Sequence, residues 1–144
     1  MKQTTKAVIV LIVLSFLYAC GSKEEPATAR SCLESMPEKI AGLKVTGART
    51  EKNVINNLWP IVCRAQELYA QERKKKPELK KGTVELKMVV EFNGEIGAYS
   101  IVRNTTEDHA LGTKILRLFE FMDFDPYGAH NSEAEIVLPI HFKP

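Results

Sequence analysis

Apolar and polar side chains alternate in residues 83–92 closely enough to predict a β-strand. Every second position there is apolar, and most of the positions between carry polar or charged side chains. This is the period of a strand with one buried face. Asn93 and Gly94 follow, the pair that two-residue hairpin turns prefer, and residues 95–103 form a second strand-like run. We therefore expect an antiparallel hairpin.

The spacing changes to that of a helix after the hairpin. Residues 104–108 combine hydroxyl and acidic side chains, which are typical of a helix start with a capping hydroxyl. The apolar positions that follow share one helical face, and they are Leu111, Ile115, Leu118, Phe119 and Met122. A last alternating run, residues 133–142, predicts a third strand.

Pro139, inside this last run, bears on the order of the strands. Proline has no N–H to give to a ladder, so it is expected on an edge strand. A hairpin, a crossing helix and a further strand make a β-β-α-β unit. If the third strand pairs with the first, the order is 2-1-3 and the third strand lies at an edge. The expected fold is α+β, with two layers and three antiparallel strands.

A longer helix is predicted before the hairpin, over residues 52–74, where apolar side chains recur on one side. Pro60 either kinks this helix or sits in the first turn of a shorter one. Cys63 projects from the opposite side, which then needs a cover. Residues 31–50 contain several helix-breaking residues. They are expected to form an irregular strap, with room for one helical turn, which supplies that cover.

The start of the chain has the layout of a secretory signal. Lys2 and Lys6 precede roughly a dozen mostly apolar residues. This run is shorter than the ~20 residues of a membrane-spanning helix. Leu17-Tyr18-Ala19-Cys20 closes the run and resembles the lipobox of bacterial lipoproteins. The alternative is a signal anchor that is never cleaved.

The lipobox resemblance implies that Cys20 carries a diacylglycerol thioether and that residues 1–19 are removed. Three acyl chains are ample for stable membrane anchoring. Gly21 and Ser22 follow the cysteine in place of an acidic residue, which favours the outer membrane, with the protein facing the periplasm. Residues 20–30 are small, polar and charged, and we expect a flexible tether there.

Lipidation of Cys20 would leave two cysteines, Cys32 and Cys63, in an oxidising compartment. The strap could bring Cys32 to Cys63 on the second side of the long helix. A disulfide closing about 32 residues would contribute roughly 3–4 kcal/mol in the chain-entropy model. The alternative is a pair of free, buried thiols.

The charge of the chain argues against general nucleic-acid binding and leaves contact with an anionic surface open. Removing the signal takes two lysines from the 20 basic residues, so the mature chain balances its 18 acidic residues with 18 basic ones. A general nucleic-acid role therefore lacks its electrostatic footprint. One basic run remains, formed by Arg73, Lys74, Lys75, Lys76, Lys80 and Lys81. It is typical of a solvated helix end; the alternative is contact with anionic lipid or peptidoglycan.

Residues 52–144 together resemble the AgmX/PglI C-terminal domain, a family similar to the TonB C-terminal fold. The residues that carry the resemblance are Tyr69, Pro77-Glu78-Leu79, Gly82, Asn93-Gly94, Phe124 and Leu138-Pro139-Ile140-His141-Phe142. Two departures stand out. Two residues, Lys80 and Lys81, occupy a place where the family usually has one. Leu68 stands beside Tyr69 where the family often has a cysteine, so its disulfide pattern is not carried over.

The resemblance implies a periplasmic protein that contacts another protein. In TonB-like domains a partner peptide adds as a strand at the edge of the sheet, a mode that uses backbone groups for affinity. Here that edge would be the last strand, through Val137, Pro139 and His141. The alternative is that Pro139 and Lys143 protect the edge against pairing.

Motifs that would indicate catalysis are not found. The sequence has no glycine-rich phosphate loop, no Cys-x-x-Cys and no His-Glu-x-x-His. The histidines, His109, His130 and His141, stand apart from one another. We therefore expect no enzyme activity, no cofactor, no metal ion and no small-molecule substrate.

The sequence thus predicts four parts: a signal at 1–19, a tether at 20–30, a strap at 31–50 and an α+β domain at 51–144. The first hypothesis is a lipid-anchored periplasmic interaction module, an accessory part of an envelope, motility or transport complex with an unidentified protein partner. The second is a structural lipoprotein that contacts peptidoglycan or anionic lipid through the basic run 73–81.

Overall fold

The computed structural model describes residues 27–143, which form three helices and one four-stranded sheet. The elements in chain order are α1 (Ala27–Glu34), β1 (Lys44–Gly47), α2 (Glu51–Lys75), β2 (Gly82–Glu91), β3 (Ile96–Asn104), α3 (His109–Arg117) and β4 (Glu133–Phe142).

The sheet is antiparallel throughout, with the strand order β1-β4-β2-β3. β2 is central, between its hairpin partner β3 and the last strand β4. The α+β class and the 2-1-3 order of these three strands are confirmed. The prediction of three strands is wrong, because residues 44–47 of the expected strap form a fourth strand beside β4. β4 is therefore an interior strand, and the edge position inferred from Pro139 is wrong.

One hydrophobic core joins the sheet to the helices α2 and α3. Alternate side chains of β2 and β4 are buried, as the period of two requires. The fully buried members of this core include Leu58, Leu86, Met88, Leu111, Ile115, Phe119, Ile136 and Leu138. The opposite face of the sheet carries most of the charged side chains of β2 and β4, and there Lys87 pairs with Glu135 at 2.9 Å. The molecule thus has two layers.

α2 confirms the predicted long helix. Thr50 caps its first turn, since its side-chain oxygen accepts a hydrogen bond from the Asn53 N–H at 3.2 Å. Pro60 lies within the helix, exposed to solvent. It removes one helical hydrogen bond there, and the buried stripe of α2 continues on both sides of it.

α3 begins later than the sequence predicts. Its N-cap is Asp108, whose carboxylate accepts a hydrogen bond from the Leu111 N–H at 2.8 Å. The predicted capping hydroxyl is therefore wrong. Thr106 is buried and its hydroxyl donates to the Asn104 side chain at 2.7 Å instead. Residues 104–108 form a hydrogen-bonded connection between β3 and α3.

The segment before the sheet is more ordered than predicted. α1 begins at Ala27, so residues 27–30 belong to a helix and not to the tether. Residues 31–34 supply the one helical turn allowed for the strap. Cys32 is bonded to Cys63 on α2, which confirms the predicted disulfide. Cys20 and the signal lie outside the described residues.

Candidate interaction site

The outer edge of β4, predicted to receive a partner strand, is covered along its first half. β1 pairs with it in the register Lys44↔Val137 to Gly47↔Ala134. The Ala48 N–H also donates to the Glu133 carbonyl at 3.2 Å, which extends this pairing by one step. Val137 is therefore occupied by a strand of the same chain.

The second half of this edge is covered by side chains and by the strap. Pro139 is buried, and a side chain added at Gly42 would come within 3.1 Å of its ring. The two ring nitrogens of His141 lie 2.9 Å from the Thr83 hydroxyl and 3.1 Å from the Ala41 carbonyl. Gln66 donates a hydrogen bond to the His141 carbonyl at 2.8 Å. The structure thus places Val137, Pro139 and His141 along one edge, but that edge is closed.

Pro139 explains where β1 stops. Along β4, the residues whose backbone groups face β1 alternate, and Pro139 is the next such position after Val137. Without an N–H, Pro139 cannot continue the ladder. The covering chain leaves the ladder there through Gly42, whose φ of +82° suits glycine. The proline therefore ends a pairing and does not mark a free edge strand.

The sheet ends in two edge strands, the four-residue β1 and the nine-residue β3, so β3 is its long open edge. It has β2 on one side and no strand on the other among residues 27–143. Its backbone groups alternate in direction, and the hydrogen bonds Glu91 N–H to Glu95 and Thr105 N–H to Thr83 fix which residues face β2. Ala98 and Ser100 face β2 by this alternation, while the N–H and C=O groups of Tyr99 and Ile101 face outward.

A groove runs between this open edge and α3; we call it the edge groove. Its volume is about 380 Å³, and Ile101 and Val102 line one side while Thr113 and Leu116 line the other. Gly112 lets the helix approach β3 closely, since a side chain there would come within 3.2 Å of Ile101. The groove therefore offers a mixed apolar and polar lining beside unpaired backbone groups.

Positive charge borders the edge groove. Arg103 lines it and is exposed, as is Arg117 at the end of α3. Neither arginine has an ion-pair partner within the described part of the chain. Val102 is 50% exposed, one of few large apolar side chains so open to solvent. An acidic and apolar segment would complement this surface.

Two ion pairs hold the α3 wall of the groove against α2. Lys76 reaches the Asp108 carboxylate at 2.8 Å, and Lys114 reaches Glu72 at 2.7 Å. The hydrogen bond from Lys76 lowers the pKa of Asp108 below its ordinary value. The hydrogen bond from Lys114, with a further contribution from Lys75, likewise lowers the pKa of Glu72. Both carboxylates are thus held in their charged form.

The predicted basic run does not form one patch. Lys75 pairs with Glu72 at 3.4 Å, Lys76 with Asp108, and Lys80 with Glu107. Arg73, Lys74 and Lys81 make no ion pair with any described residue. Two cations of the run therefore anchor the loop before α3, one pairs within α2, and the other three are free for contact.

No local pattern in the sequence points to Arg49, which is 5% exposed. Its guanidinium donates to Asn53 at 2.9 Å and to the Glu91 carbonyl at 3.1 Å. It also lies 5.1 Å from the ring centre of Phe124 and 5.7 Å from that of Tyr127, within the range of cation–π attraction. Burial lowers its pKa. These contacts tie the end of the hairpin to the start of α2, a structural role.

Within residues 27–143, no group of three or more histidine, cysteine, aspartate or glutamate residues could hold a metal ion. None of the described helices is long and apolar enough to cross a membrane. No family model, curated protein or solved structure matches this chain. The resemblance to the AgmX/PglI C-terminal domain therefore stays a prediction.

Proposed function

We propose that this chain is a lipid-anchored, non-catalytic interaction module of a bacterial cell envelope. It would bind an extended segment of a partner protein as an added strand at β3. Cys20 would hold it on the outer membrane, facing the periplasm, as an accessory part of an envelope, motility or transport complex. The observation that carries this proposal is the open outer edge of β3, with the edge groove beside it.

Strand addition at β3 has a defined geometry. The outward backbone groups of Tyr99 and Ile101 would pair with the added strand, and alternate side chains of that strand would enter the edge groove. Register shifts near Gly97 and Val102 mark two bulges in β3. The regular stretch between them is short, so the partner segment would pair over only a few residues. Arg103 favours a segment with an acidic residue at one end.

The same proposal explains why the partner would not use β4. That strand already has β1 as its neighbour, and Pro139 lacks the N–H that further pairing needs. The partner-binding residues expected from the sequence, Val137, Pro139 and His141, are therefore replaced in the proposal by the outer edge of β3.

Crosslinked-envelope pull-downs with two matched variants test the binding edge. Val102→Lys places a charge at the mouth of the edge groove, and lysine at an edge opposes strand pairing. Thr46→Lys makes a similar change on the exposed strand β1 and serves as the control. We expect Val102→Lys to lose partner adducts that wild type and Thr46→Lys retain. Equal recovery of the adducts in all three proteins would contradict binding at β3.

The lipid anchor has a separate test. Cys20→Ser removes the only thiol that the lipobox resemblance assigns to lipidation. We expect the variant to leave the membrane fraction, because the acyl chains supply most of the membrane affinity. Retention of the variant at the wild-type level would contradict the anchor and leave the β3 test unaffected.

A further inference from the structure

A second cavity lies near the C-terminal end of α2; we call it the basic cavity. Its volume is about 490 Å³. Its lining residues are Gln66, Tyr69, Ala70, Arg73, Lys74, Pro77 and Lys143. It carries more positive charge than the edge groove, because Arg73, Lys74 and Lys143 line it, whereas the groove lining has Arg103 alone among arginine and lysine side chains of the described residues. It also differs from the run 73–81 seen in the sequence, because Lys143 joins it from the other end of the chain.

The cations of the basic cavity are free to meet an anion. Arg73, Lys74 and Lys143 have no ion-pair partner among the residues that the structure describes. The nearest acidic residue in sequence, Glu72, is already paired with Lys114 and Lys75. An anionic group seated here would therefore not compete with an existing ion pair.

Tyr69 adds an unsatisfied donor to the cavity. Its side chain is 2% exposed and its ring stacks on Phe142, with 4.7 Å between ring centres. The hydroxyl is buried and has no hydrogen-bond partner among residues 27–143. Buried hydroxyls normally have a partner. Because the hydroxyl is buried, a phosphate oxygen could accept this hydrogen bond once the side chains that cover it move aside.

The path of the described chain brings the start of α1 toward this cavity. Cys32 is bonded to Cys63, and its carbonyl accepts a hydrogen bond from Trp59 at 2.8 Å. A few residues later, Met36 lies beside Ile55. The chain from α1 onward thus runs antiparallel to α2, so α1 begins toward the half of α2 that carries the basic cavity.

The reach of the tether keeps the cavity close to the lipid. Six residues separate Cys20 from Ala27, the first residue of α1. A fully extended chain of this length spans at most about 25 Å. A domain held within that distance of a membrane would meet its surface repeatedly.

We propose that the basic cavity seats the headgroup of an anionic phospholipid, so that the tethered domain rests on its membrane with Arg73, Lys74 and Lys143 inward. This inference rests on the proposed lipid anchor. The three cations supply the attraction, and the Tyr69 hydroxyl donates to a phosphate oxygen. The edge groove has a separate lining, on β3 and α3.

Vesicle co-sedimentation tests the site without the anchor. The protein is the chain from residue 20 onward with Cys20→Ser, so the result does not depend on lipidation. The vesicles are phosphatidylcholine with and without phosphatidylglycerol. We expect binding only to the anionic vesicles, and we expect it to weaken as salt screens the charges.

Two triple variants then locate the contact. Arg73→Gln, Lys74→Gln and Lys143→Gln remove the three cations of the cavity. Each cation near an anionic surface is worth about fivefold in binding, so we expect a loss on the order of a hundredfold. The control replaces Lys39, Lys44 and Lys52, three exposed lysines near the opposite end of α2, with glutamine. It makes the same change in net charge and should bind far better than the first variant.

The Tyr69→Phe variant isolates the hydroxyl, because it keeps the ring that stacks on Phe142. We expect it to bind anionic vesicles more weakly than wild type, by a few-fold. Equal losses in the two triple variants would show that only net charge matters and would overturn the site. Sedimentation with isolated peptidoglycan but not with anionic vesicles would overturn the lipid as its occupant. Neither result bears on the Cys20 or β3 tests.

Discussion

The strands β3, β2 and β4 form a three-stranded unit with two outer edges, and the two edges differ in what lies against them. At β4, the strap supplies β1, buries Pro139 and is fixed to α2 by the Cys32–Cys63 disulfide. At β3, no described strand pairs with the backbone groups that face outward. Soluble proteins usually protect long sheet edges against pairing. A disulfide-linked segment covers the β4 edge, and no strand covers the β3 edge. The open edge at β3 is therefore the candidate for recognition.

Amide hydrogen exchange should show the largest contrast between the two edges. We expect the outward amides of Tyr99 and Ile101 to exchange early, because they have no ladder partner. The amide of Ser100, on the same strand but facing β2, should exchange slowly, as should that of Val137 under β1. The difference would reach several kcal/mol of opening free energy if the central ladder opens only on global unfolding. Similar rates for Tyr99 and Ser100 would contradict an open edge.

Removing the disulfide that attaches the strap to α2 should have the next largest effect on stability. A double variant, Cys32→Ser with Cys63→Ser, opens a link between residues 31 positions apart. In the chain-entropy model it should lose about 3–4 kcal/mol of unfolding free energy, measured by urea denaturation. After correction for the loss of global stability, amide hydrogen exchange at Val137 should rise and exchange at Ser100 should not. An equal rise at both amides would mean that the disulfide stabilises the whole fold and not the cover in particular.

Replacing one glycine by alanine on each edge strand tests how tightly the two edges are packed, because each change adds a single methyl group. Gly47 on β1 has φ of +107°, and a side chain there would lie 2.3 Å from the Glu133 carbonyl oxygen. Gly47→Ala should therefore cost about 1–3 kcal/mol. Gly97 on β3 has room, with its nearest neighbour at 3.5 Å, so Gly97→Ala should be neutral or stabilising by up to about 1 kcal/mol. Thermal denaturation measures both. Equal losses would show that the edges do not differ in packing.

The sequence predicts β2 and β4 well because strict alternation and an Asn-Gly turn are local signals. It also predicts the α2 stripe and the disulfide. It misses β1, because four residues, only one of them apolar and partly buried, carry no periodic signal; the strand exists through pairing with β4. Because the sequence does not predict β1, Pro139 indicates an edge strand. The predicted partner edge therefore falls at β4, whereas the open long edge in the structure is β3.

Other parts of the candidate site depend on contacts that no local pattern encodes. The basic run looked continuous, yet Lys76 and Lys80 pair with Asp108 and Glu107 from the loop before α3. Lys143 joins Arg73 only because β4 ends beside α2. The two ion pairs join residues 32 and 27 positions apart, and such partners become visible only in the folded chain.

The smallest expected effect concerns the wall of the edge groove and its dependence on pH. The pKa of Asp108 lies below its ordinary value, mainly through the Lys76 hydrogen bond. The stabilisation is therefore present above the unfolded pKa, about 4, and is lost as pH falls through the lower, folded pKa. Because Lys76 is partly exposed, solvent screens the pair and its contribution to stability should be small.

Asp108→Asn separates this charge effect from helix capping. Asparagine caps helices about as well as aspartate, so the variant should lose the ion pair and keep the hydrogen bond to the Leu111 N–H. In urea denaturation it should be less stable than wild type at neutral pH and equal to it at low pH, where the wild-type carboxyl is protonated. Exchange at Leu111 should rise modestly in the variant and exchange at Val137 should not, because α3 borders the open edge and β1 covers the closed one. A stability difference that persists unchanged at low pH would contradict the role given to the Asp108 charge.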